Sequence, residues 1–311
     1  MPLDSQSQAF LDYLSSLGNP PSEKISPQEA RRNFSKIFQS PGPKLELVED
    51  RFIPSINGEI PIRFYKSSKS KKLPLLVWFH GGGMILGDLD SADGIARFLC
   101  AGAECSVVSV DYRLAPENKF PAGLEDSYNV TKWIFDHSND FDTEPNQIAV
   151  GGDSAGGNLA AAVSIMSRDK KLPYLVHQLL VYPMLDCDFT TDSYIHNSEG
   201  YLLTKSSMKS YWNYYLANED DKNNPYALPL QLKDYSGLPS ALIITTEFDP
   251  LRDEGELYAK RLKDSNVPVV YTRYDGVFHG FFGRPTLIDK GKKAMAEACL
   301  SLREAFNKSA K

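Results

Sequence analysis

Short runs of consecutive apolar residues alternate with amphipathic segments of helical length through most of the chain. Six runs are typical of buried strands: LLVWF at 75–79, SVVSVDY at 106–112, IAVGG at 148–152, QLLVYP at 178–183, ALIITT at 241–246 and VVYTRY at 269–274. Helical periodicity occurs near 91–104, 121–138, 155–168, 253–264 and 289–306. Strands that alternate with helices indicate a mainly parallel sheet with helices on both faces.

The N-terminal segment has a different pattern. Phe10, Tyr13, Leu14 and Leu17 share one helical face, and a second helix is predicted over 28–39. From about residue 44, the runs LELVEDRFIP and EIPIRFYK flank a Ser-Ile-Asn-Gly turn and predict a β-hairpin.

A second segment, 187–236, has no strand pattern and is rich in Tyr and Trp, although it lies between two core strands. We therefore predict a helical cap over one end of the sheet. The cap consists of 1–43 and 187–236, and the core consists of 44–186 and 237–311.

Composition and charge exclude several classes of protein. The 311 residues, 42% of them hydrophobic, suffice for one large core, and the net charge of −6 argues against nucleic-acid binding. The short basic run KSSKSKK at 66–72 is interpreted as a solvated turn. The first residues do not resemble a secretory signal, and no apolar run reaches the about 20 residues of a membrane span.

Cysteine usage points to a reducing compartment. The chain has four cysteines, namely Cys100, Cys105, Cys187 and Cys299. No CxxC pair occurs, which argues against a zinc site. Four cysteines in a chain of this length are also not typical of a disulfide scaffold. We expect a cytoplasmic protein that needs no metal or cofactor.

The stretch GGDSAGGN at 151–158 holds one serine among four glycines. Ser154 fits GxSxG between a predicted strand and a predicted helix, where a sharp turn exposes the hydroxyl above the sheet. Gly152 and Gly156 are expected to prevent a clash of Cβ atoms with nearby backbone. Ser154 is therefore the candidate nucleophile.

A serine nucleophile needs a base and an acid that orients the base. Of the five histidines, His279 follows the last predicted strand and can reach the same sheet edge, whereas His196 lies in the cap. Asp249 follows ALIITTEF and is the preferred acid, with Glu247 and Asp253 as weaker candidates. The order of serine, aspartate and histidine is that of α/β-hydrolases.

The glycines after His80 supply the other expected element. Attack on a carbonyl creates an oxyanion, which fixed N–H donors stabilise. We expect the N–H groups of Gly81, Gly82 and Ala155 to form this oxyanion hole. The loop lacks the lysine and hydroxyl of a phosphate-binding loop.

With these stretches the sequence resembles the hormone-sensitive-lipase-like carboxylesterases of the α/β-hydrolase fold. The similar stretches are HGGGMILG, DYRLAPENKFPAGLED, GGDSAGGNLA, YPMLD, TEFDPLRDEG and FHGF, in order between 80 and 281. The resemblance implies an eight-stranded, mostly parallel sheet with a helical cap. It also implies Ser154, Asp249 and His279 as the catalytic triad.

The resemblance carries further expectations. Asp111, Arg113 and Glu117 are expected to form a buried ion network, and Asp153 to hydrogen-bond nearby backbone. Some members of the family form homodimers through the last strand and helix, here about 269–306.

Together these observations predict a carboxylesterase that cleaves short- to medium-chain acyl esters. Cap aromatics, with Phe10 and Tyr13, are expected to line an apolar pocket. An amidase or formamidase with the same triad remains an alternative. So does a non-catalytic ligand receptor on the same fold, although His279 argues against it.

Overall fold

The computed structural model describes residues 2–68 and 72–309. The strands in this part of the chain are β1 (Leu47–Ser55), β2 (Gly58–Lys66), β3 (Leu75–Phe79), β4 (Ser106–Val110), β5 (Ile148–Asp153), β6 (His177–Val181), β7 (Ser240–Phe248) and β8 (Val269–Phe278). The α-helices are α1 (Ser5–Ser16), α2 (Pro27–Phe38), α3 (Leu89–Ala103), α4 (Ala122–Asp136), α5 (Ala155–Lys170), α6 (Asp192–His196), α7 (Lys205–Tyr215), α8 (Arg252–Asp264) and α9 (Asp289–Ser309).

The strands form a single eight-stranded sheet in the order β1-β2-β4-β3-β5-β6-β7-β8. β1 and β2 form the predicted hairpin, β2 pairs antiparallel with β4, and all later pairs are parallel. The predicted fold class, an eight-stranded mostly parallel sheet, is confirmed. Because the carboxyl ends of the parallel strands share one edge, the loops after β3, β5, β7 and β8 meet there.

The central strands are buried on both faces, which explains their unbroken apolar runs. In β3, Leu76 and Trp78 belong to the core cluster on one side of the sheet. Their neighbours Leu75, Val77 and Phe79 belong to the cluster on the other side. This alternation places a separate hydrophobic core under each helical layer.

The two segments outside the regular alternation fold as helices. α1 and α2 lie in the N-terminal segment, and α6 and α7 lie in 187–236, where no strand forms. The exact division of the chain after residues 43, 186 and 236 stays a prediction.

The basic run at 66–72 differs from its interpretation as a solvated turn. Lys66 is the last residue of β2, is 2% exposed and forms an ion pair with Asp142 at 2.6 Å. Lys72 pairs with Glu144. Residues 69–71 of the run lie outside the described residues.

The described residues include no helix that is both long enough and apolar enough to span a bilayer. All four cysteines belong to this part of the chain and are free thiols. Burial raises the pKa of the Cys100 thiol to about 12 and that of Cys299 to about 11. These two thiols are therefore protonated at neutral pH and poorly reactive.

Candidate active site

Ser154 occupies the turn between β5 and α5 in a positive-φ conformation that is rare for residues other than glycine, with φ 56° and ψ −117°. A Cβ on Gly156 would lie 1.9 Å from the carbonyl oxygen of Phe79, and a Cβ on Gly152 would lie 2.3 Å from Gly156. Real Cβ atoms do not approach backbone so closely, which explains why glycine flanks the serine on both sides. The strain of a non-glycine residue at positive φ is thus borne at the serine itself.

The structure brings the three residues of the predicted triad together. Nε2 of His279 lies 2.9 Å from Oγ of Ser154, and Nδ1 of His279 lies 2.7 Å from Oδ2 of Asp249. Asp249 is fully buried, and its Oδ1 accepts a hydrogen bond from the backbone N–H of Leu251 at 2.8 Å. One imidazole thus contacts the hydroxyl on one side and the carboxylate on the other.

The weaker acid candidates have other partners. Oε2 of Glu247 accepts a hydrogen bond from the N–H of Gly276 at 2.7 Å. Asp253 pairs with Arg252 and accepts the N–H of Ser193 at 2.7 Å. Neither forms a hydrogen bond to His279 within the described chain, so the geometry favours Asp249.

Tyr182, which follows β6, contacts the imidazole from another direction. Its ring centroid lies 4.4 Å from that of His279, and its backbone has a φ of 36°. Sequence reasoning did not single out this residue. The available signal was its position near the end of the predicted strand run QLLVYP and at the start of the YPMLD stretch of the family.

The glycine loop after β3 departs from one prediction. The N–H of Gly81 donates a hydrogen bond to Oδ1 of Asp153 at 3.0 Å. This donor is therefore occupied, and the proposed oxyanion role of Gly81 does not fit the structure. The N–H groups of Gly82, Gly83 and Ala155 have no acceptor among residues 2–68 and 72–309. They are the unoccupied donors beside Ser154.

Asp153 fits its expected role as a partner of nearby backbone. Burial raises the pKa of its carboxyl to about 6, while the proximity of His279 acts in the opposite direction. A Cβ on Gly81 would lie 2.5 Å from Oδ2 of Asp153, so glycine permits this close contact. The hydrogen bond to Asp153 therefore holds Gly81, the first glycine of the loop, in place.

The other histidines near or outside the site have local partners. His80 is buried and its Nδ1 lies 2.8 Å from the carbonyl of Gly81, so it contacts the glycine loop that follows it. His137 stacks on Trp133 and contacts its carbonyl. His196 is exposed and does not line the cavity that contains Ser154.

His177 lies at the opposite end of the sheet from Ser154. It is 3% exposed, and its two ring nitrogens contact the hydroxyls of Ser240 at 2.9 Å and Ser301 at 3.1 Å. No carboxylate contacts the ring in the described part of the chain, so this histidine and Ser240 do not form a triad. Burial, with a smaller effect of Lys308, lowers the pKa of His177 to about 4.

His177 should make the folded state sensitive to acid. Between pH 6.5 and pH 4 the unfolded chain binds a proton at this position that the folded chain excludes, so the free energy of unfolding falls as the pH falls. The loss should approach about 3 kcal/mol, which corresponds to the lowered pKa. Chemical denaturation of the native chain and His177→Gln from pH 7 to pH 4 measures it. An equally steep loss in the variant would contradict this assignment.

The stretch DYRLAPE does not form the predicted single network. Arg113 pairs with Asp126 at 2.8 Å, and Glu117 pairs with Arg31 of α2 at 2.6 Å. Asp111 forms no ion pair with either residue, and burial raises its pKa to about 6. The stretch therefore forms two separate ion pairs. Arg113 binds Asp126 of α4, and Glu117 attaches α2 to the core through Arg31.

Ser154 lies in a cavity of about 650 Å³ between the sheet edge and the helical segments. Apolar side chains from α1, α2 and the segment before α7 line it: Leu11, Leu14, Phe34, Ile37, Phe38, Leu202 and Leu203. Tyr211 of α7 also lines the cavity, and its hydroxyl lies 2.8 Å from that of Ser22. Both predicted cap segments therefore contribute to the cavity.

The expectation that Phe10 and Tyr13 line the cavity is wrong. Phe10 stacks on Phe278 at a centroid distance of 5.8 Å, and Tyr13 is 56% exposed. α1 instead turns Leu11 and Leu14 toward the cavity. The prediction fails because the apolar pattern includes Tyr13, whose ring is exposed and does not face the cavity.

The described residues contain no group of histidine, cysteine or acidic side chains arranged to hold a metal ion. The polar groups at Ser154 are a hydroxyl, an imidazole, a carboxylate and backbone N–H donors. This set can transfer a proton and stabilise an oxyanion.

Comparisons with known proteins agree with this geometry. A family model described as the alpha/beta hydrolase fold matches residues 76–283. An arylesterase from Saccharolobus solfataricus is 39% identical over 288 residues, which cover 92% of this chain and 94% of that protein. The solved hyperthermophilic esterase from Pyrobaculum calidifontis is 38% identical, covers 98% of this chain and 99% of its own, and superposes with a TM-score of 0.92.

A solved thermostable esterase from Pseudomonas putida is 33% identical, with 98% of both chains covered and a TM-score of 0.94. Fold and site together define an α/β-hydrolase. Within that fold, the chain belongs to the hormone-sensitive-lipase-like family of carboxylic ester hydrolases.

Proposed function

We propose that this protein is a serine carboxylesterase that hydrolyses short- to medium-chain acyl esters through an acyl-enzyme intermediate. The observation that carries the proposal is the continuous contact from Ser154 through His279 to Asp249 at the base of a largely apolar cavity. Arylesterase and esterase relatives of this chain support the same chemistry.

In this mechanism Ser154 is the nucleophile and His279 is the general base. His279 accepts the hydroxyl proton as Oγ attacks the ester carbonyl, and it then protonates the leaving alcohol. A water molecule then attacks the acyl-enzyme as His279 accepts its proton. His279 returns this proton to Oγ of Ser154, and the carboxylic acid is released. Asp249 keeps Nδ1 of the imidazole protonated, so that Nε2 faces the serine as an acceptor.

The oxyanion is assigned to the N–H groups of Gly82, Gly83 and Ala155. The unoccupied donors of the loop and the N-terminus of α5 both favour negative charge at this point. Gly81 does not belong to this set because its N–H already donates to Asp153. In this role Asp153 positions the loop and transfers no proton.

The size and lining of the cavity support small acyl groups. Its volume of about 650 Å³ lies in the range of about 300–1,000 Å³ for small-molecule sites, and leucine, isoleucine and phenylalanine side chains line much of it. Apolar walls favour an alkyl chain, and the enclosing helices limit its length.

A series of p-nitrophenyl esters from acetate to palmitate tests this function. We expect kcat/KM to pass through a maximum at a short or medium chain and to fall for palmitate, because the long chain cannot fit between α1 and α2. Release of nitrophenolate at neutral pH gives the rate. A maximum at palmitate would contradict the proposed acyl size.

Two further measurements separate the alternatives. A p-nitroanilide with the preferred acyl group should react far more slowly than the ester, and comparable rates would favour an amidase. A fluorophosphonate probe should modify the native chain once, at Ser154, as identified by peptide mass spectrometry. Ester binding without turnover or modification would favour a ligand receptor.

A further inference from the structure

Arg284 is a buried cation in the wall of the cavity that contains Ser154. The residue is 4% exposed, and it follows the short 3-10 helix Phe281–Gly283 after β8. Burial lowers the pKa of its guanidinium from the ordinary value. A buried charge of this kind is costly unless a partner compensates it.

The protein supplies few hydrogen-bond acceptors for this side chain. A guanidinium has five N–H donors. Nη2 donates to the carbonyl of Ile37 at 3.1 Å, and this is the one hydrogen bond of the Arg284 side chain to residues 2–68 and 72–309. Its Nε is buried without any acceptor in this part of the chain.

No carboxylate of the described chain forms an ion pair with Arg284. Three acidic residues line the same cavity, namely Glu23, Asp153 and Glu199, and none of them is paired with it. Glu199 is exposed, and Asp153 is bound to the loop at Gly81. The cation therefore has no carboxylate counter-ion among residues 2–68 and 72–309.

Aromatic rings hold the side chain in place. The guanidinium carbon lies 5.2 Å from the ring centroid of Phe10 and 4.7 Å from that of Phe38. Contacts with these rings and with the end of α2 stabilise the cation without occupying its remaining N–H donors. Arg284 is thus fixed at the junction of α1, α2 and the core, with donors left over.

We propose that Arg284 binds an anionic group of the substrate, so that the preferred esters carry a carboxylate at the end of the chain remote from the reacting ester. This inference rests on the proposed esterase function. A planar carboxylate matches the fork of a guanidinium, and it would supply the counter-ion that the protein lacks. Apolar side chains line the same cavity as Ser154 and Arg284, and they suit the alkyl chain that would join the two ends.

Monoesters of dicarboxylic acids test the proposal directly. The substrates are mono-p-nitrophenyl esters of adipic, pimelic and suberic acid, whose chains disfavour attack of the carboxylate on its own ester. Each is compared with the same compound carrying a methyl ester at the far end, which removes the charge. The measured quantity is the ratio of kcat/KM for the charged ester to that for the neutral one.

In the native chain we expect this ratio to exceed one for at least one chain length. In Arg284→Met the charged ester should lose roughly 10- to 100-fold in kcat/KM, the range expected for hydrogen bonds to a charged group. The neutral ester should change much less. Arg284→Lys keeps the charge but not the fork, so its ratio should lie between those of the native chain and the methionine variant.

Arg31→Met is the matched control. Arg31 also fastens α2, through the carbonyls of Ile85 and Ala115 and the carboxylate of Glu117, but it does not line the cavity. Its loss should affect the charged and neutral esters alike and leave their ratio unchanged. The control therefore distinguishes two causes of a lower kcat/KM: a looser attachment of α2 and the loss of an anion site.

A second measurement needs no variant of Arg284. Suberate should inhibit hydrolysis of the neutral p-nitrophenyl butyrate competitively, whereas 1,8-octanediol at the same concentration should inhibit less. Equal inhibition by both, or a ratio that persists in Arg284→Met, would overturn the proposal and leave Arg284 with a structural role.

Failure of the esterase function would look different. In that case the native chain would hydrolyse neither member of a pair. Titration calorimetry with suberate would then test the anion site at Arg284 independently of ester hydrolysis. Binding that is lost in Arg284→Met would support the anion site, and absence of binding by the native chain would overturn it.

Discussion

Replacement of Ser154 by alanine is expected to lower kcat on p-nitrophenyl butyrate by about 10⁴- to 10⁶-fold, the range seen when the nucleophile of a triad is removed. The hydroxyl is the atom that His279 contacts at 2.9 Å, and a side chain at Gly152 or Gly156 would clash with nearby backbone. The fold should persist, because alanine has to adopt the same φ of 56° that serine already adopts. Steady-state kinetics and thermal unfolding of both proteins measure the two effects.

Ser240→Ala is the matched control for this prediction. Ser240 also contacts a buried histidine, His177, at 2.9 Å, but it lies at the opposite end of the sheet. Its kcat should stay within about threefold of the native value, as for a substitution remote from the chemistry. If Ser240→Ala lost activity and Ser154→Ala retained it, the assignment of the nucleophile would be wrong.

Much of the fold was predictable because it depends on local patterns. The central strands are buried on both faces, so their apolar runs were recognisable without knowledge of their neighbours. Their ends were less certain. The apolar run SVVSVDY reaches residue 112, but β4 ends at Val110. The run VVYTRY ends at 274, but β8 continues to Phe278. Strand ends depend on pairing with a neighbour, which one segment does not encode.

The three residues of the contact from Ser154 to Asp249 were predictable for a related reason. Each directly follows a core strand, and parallel strands bring their carboxyl ends to one edge. The spacing therefore translated into proximity, which the distances of 2.9 Å and 2.7 Å to His279 bear out.

Features that depend on the direction and the partners of individual groups could not be predicted from the sequence. Gly81 and Gly82 look alike in HGGG, and only the hydrogen bond from Gly81 to Asp153 distinguishes them. The partners of Arg113 and Glu117 lie 13 and 86 residues away in the chain. Arg284 carried no sequence signal either, because its significance is that no carboxylate in the described part of the chain pairs with it.

Replacement of Asp249 by asparagine is expected to lower kcat by about 10³- to 10⁴-fold. The asparagine oxygen can still accept the N–H of Leu251, which now binds Oδ1. The new amide then presents N–H groups to Nδ1 of His279, which must become an acceptor. Nε2 consequently carries the proton and can no longer accept that of Ser154. Kinetics on p-nitrophenyl butyrate measure the loss.

The neighbouring acids provide the controls for this second prediction. Glu247→Gln and Asp253→Asn make the same change of charge within four residues of Asp249, but neither side chain contacts His279 in the described chain. Both variants should keep kcat within about tenfold of the native value, because the hydrogen bonds that they weaken, from the N–H groups of Gly276 and Ser193, do not involve the imidazole. A loss in Glu247→Gln as large as that in Asp249→Asn would mean that the field of several carboxylates, and not one hydrogen bond, orients the imidazole. Comparison of the three variants thus shows whether the single contact with Asp249 or the total negative charge nearby orients the imidazole of His279.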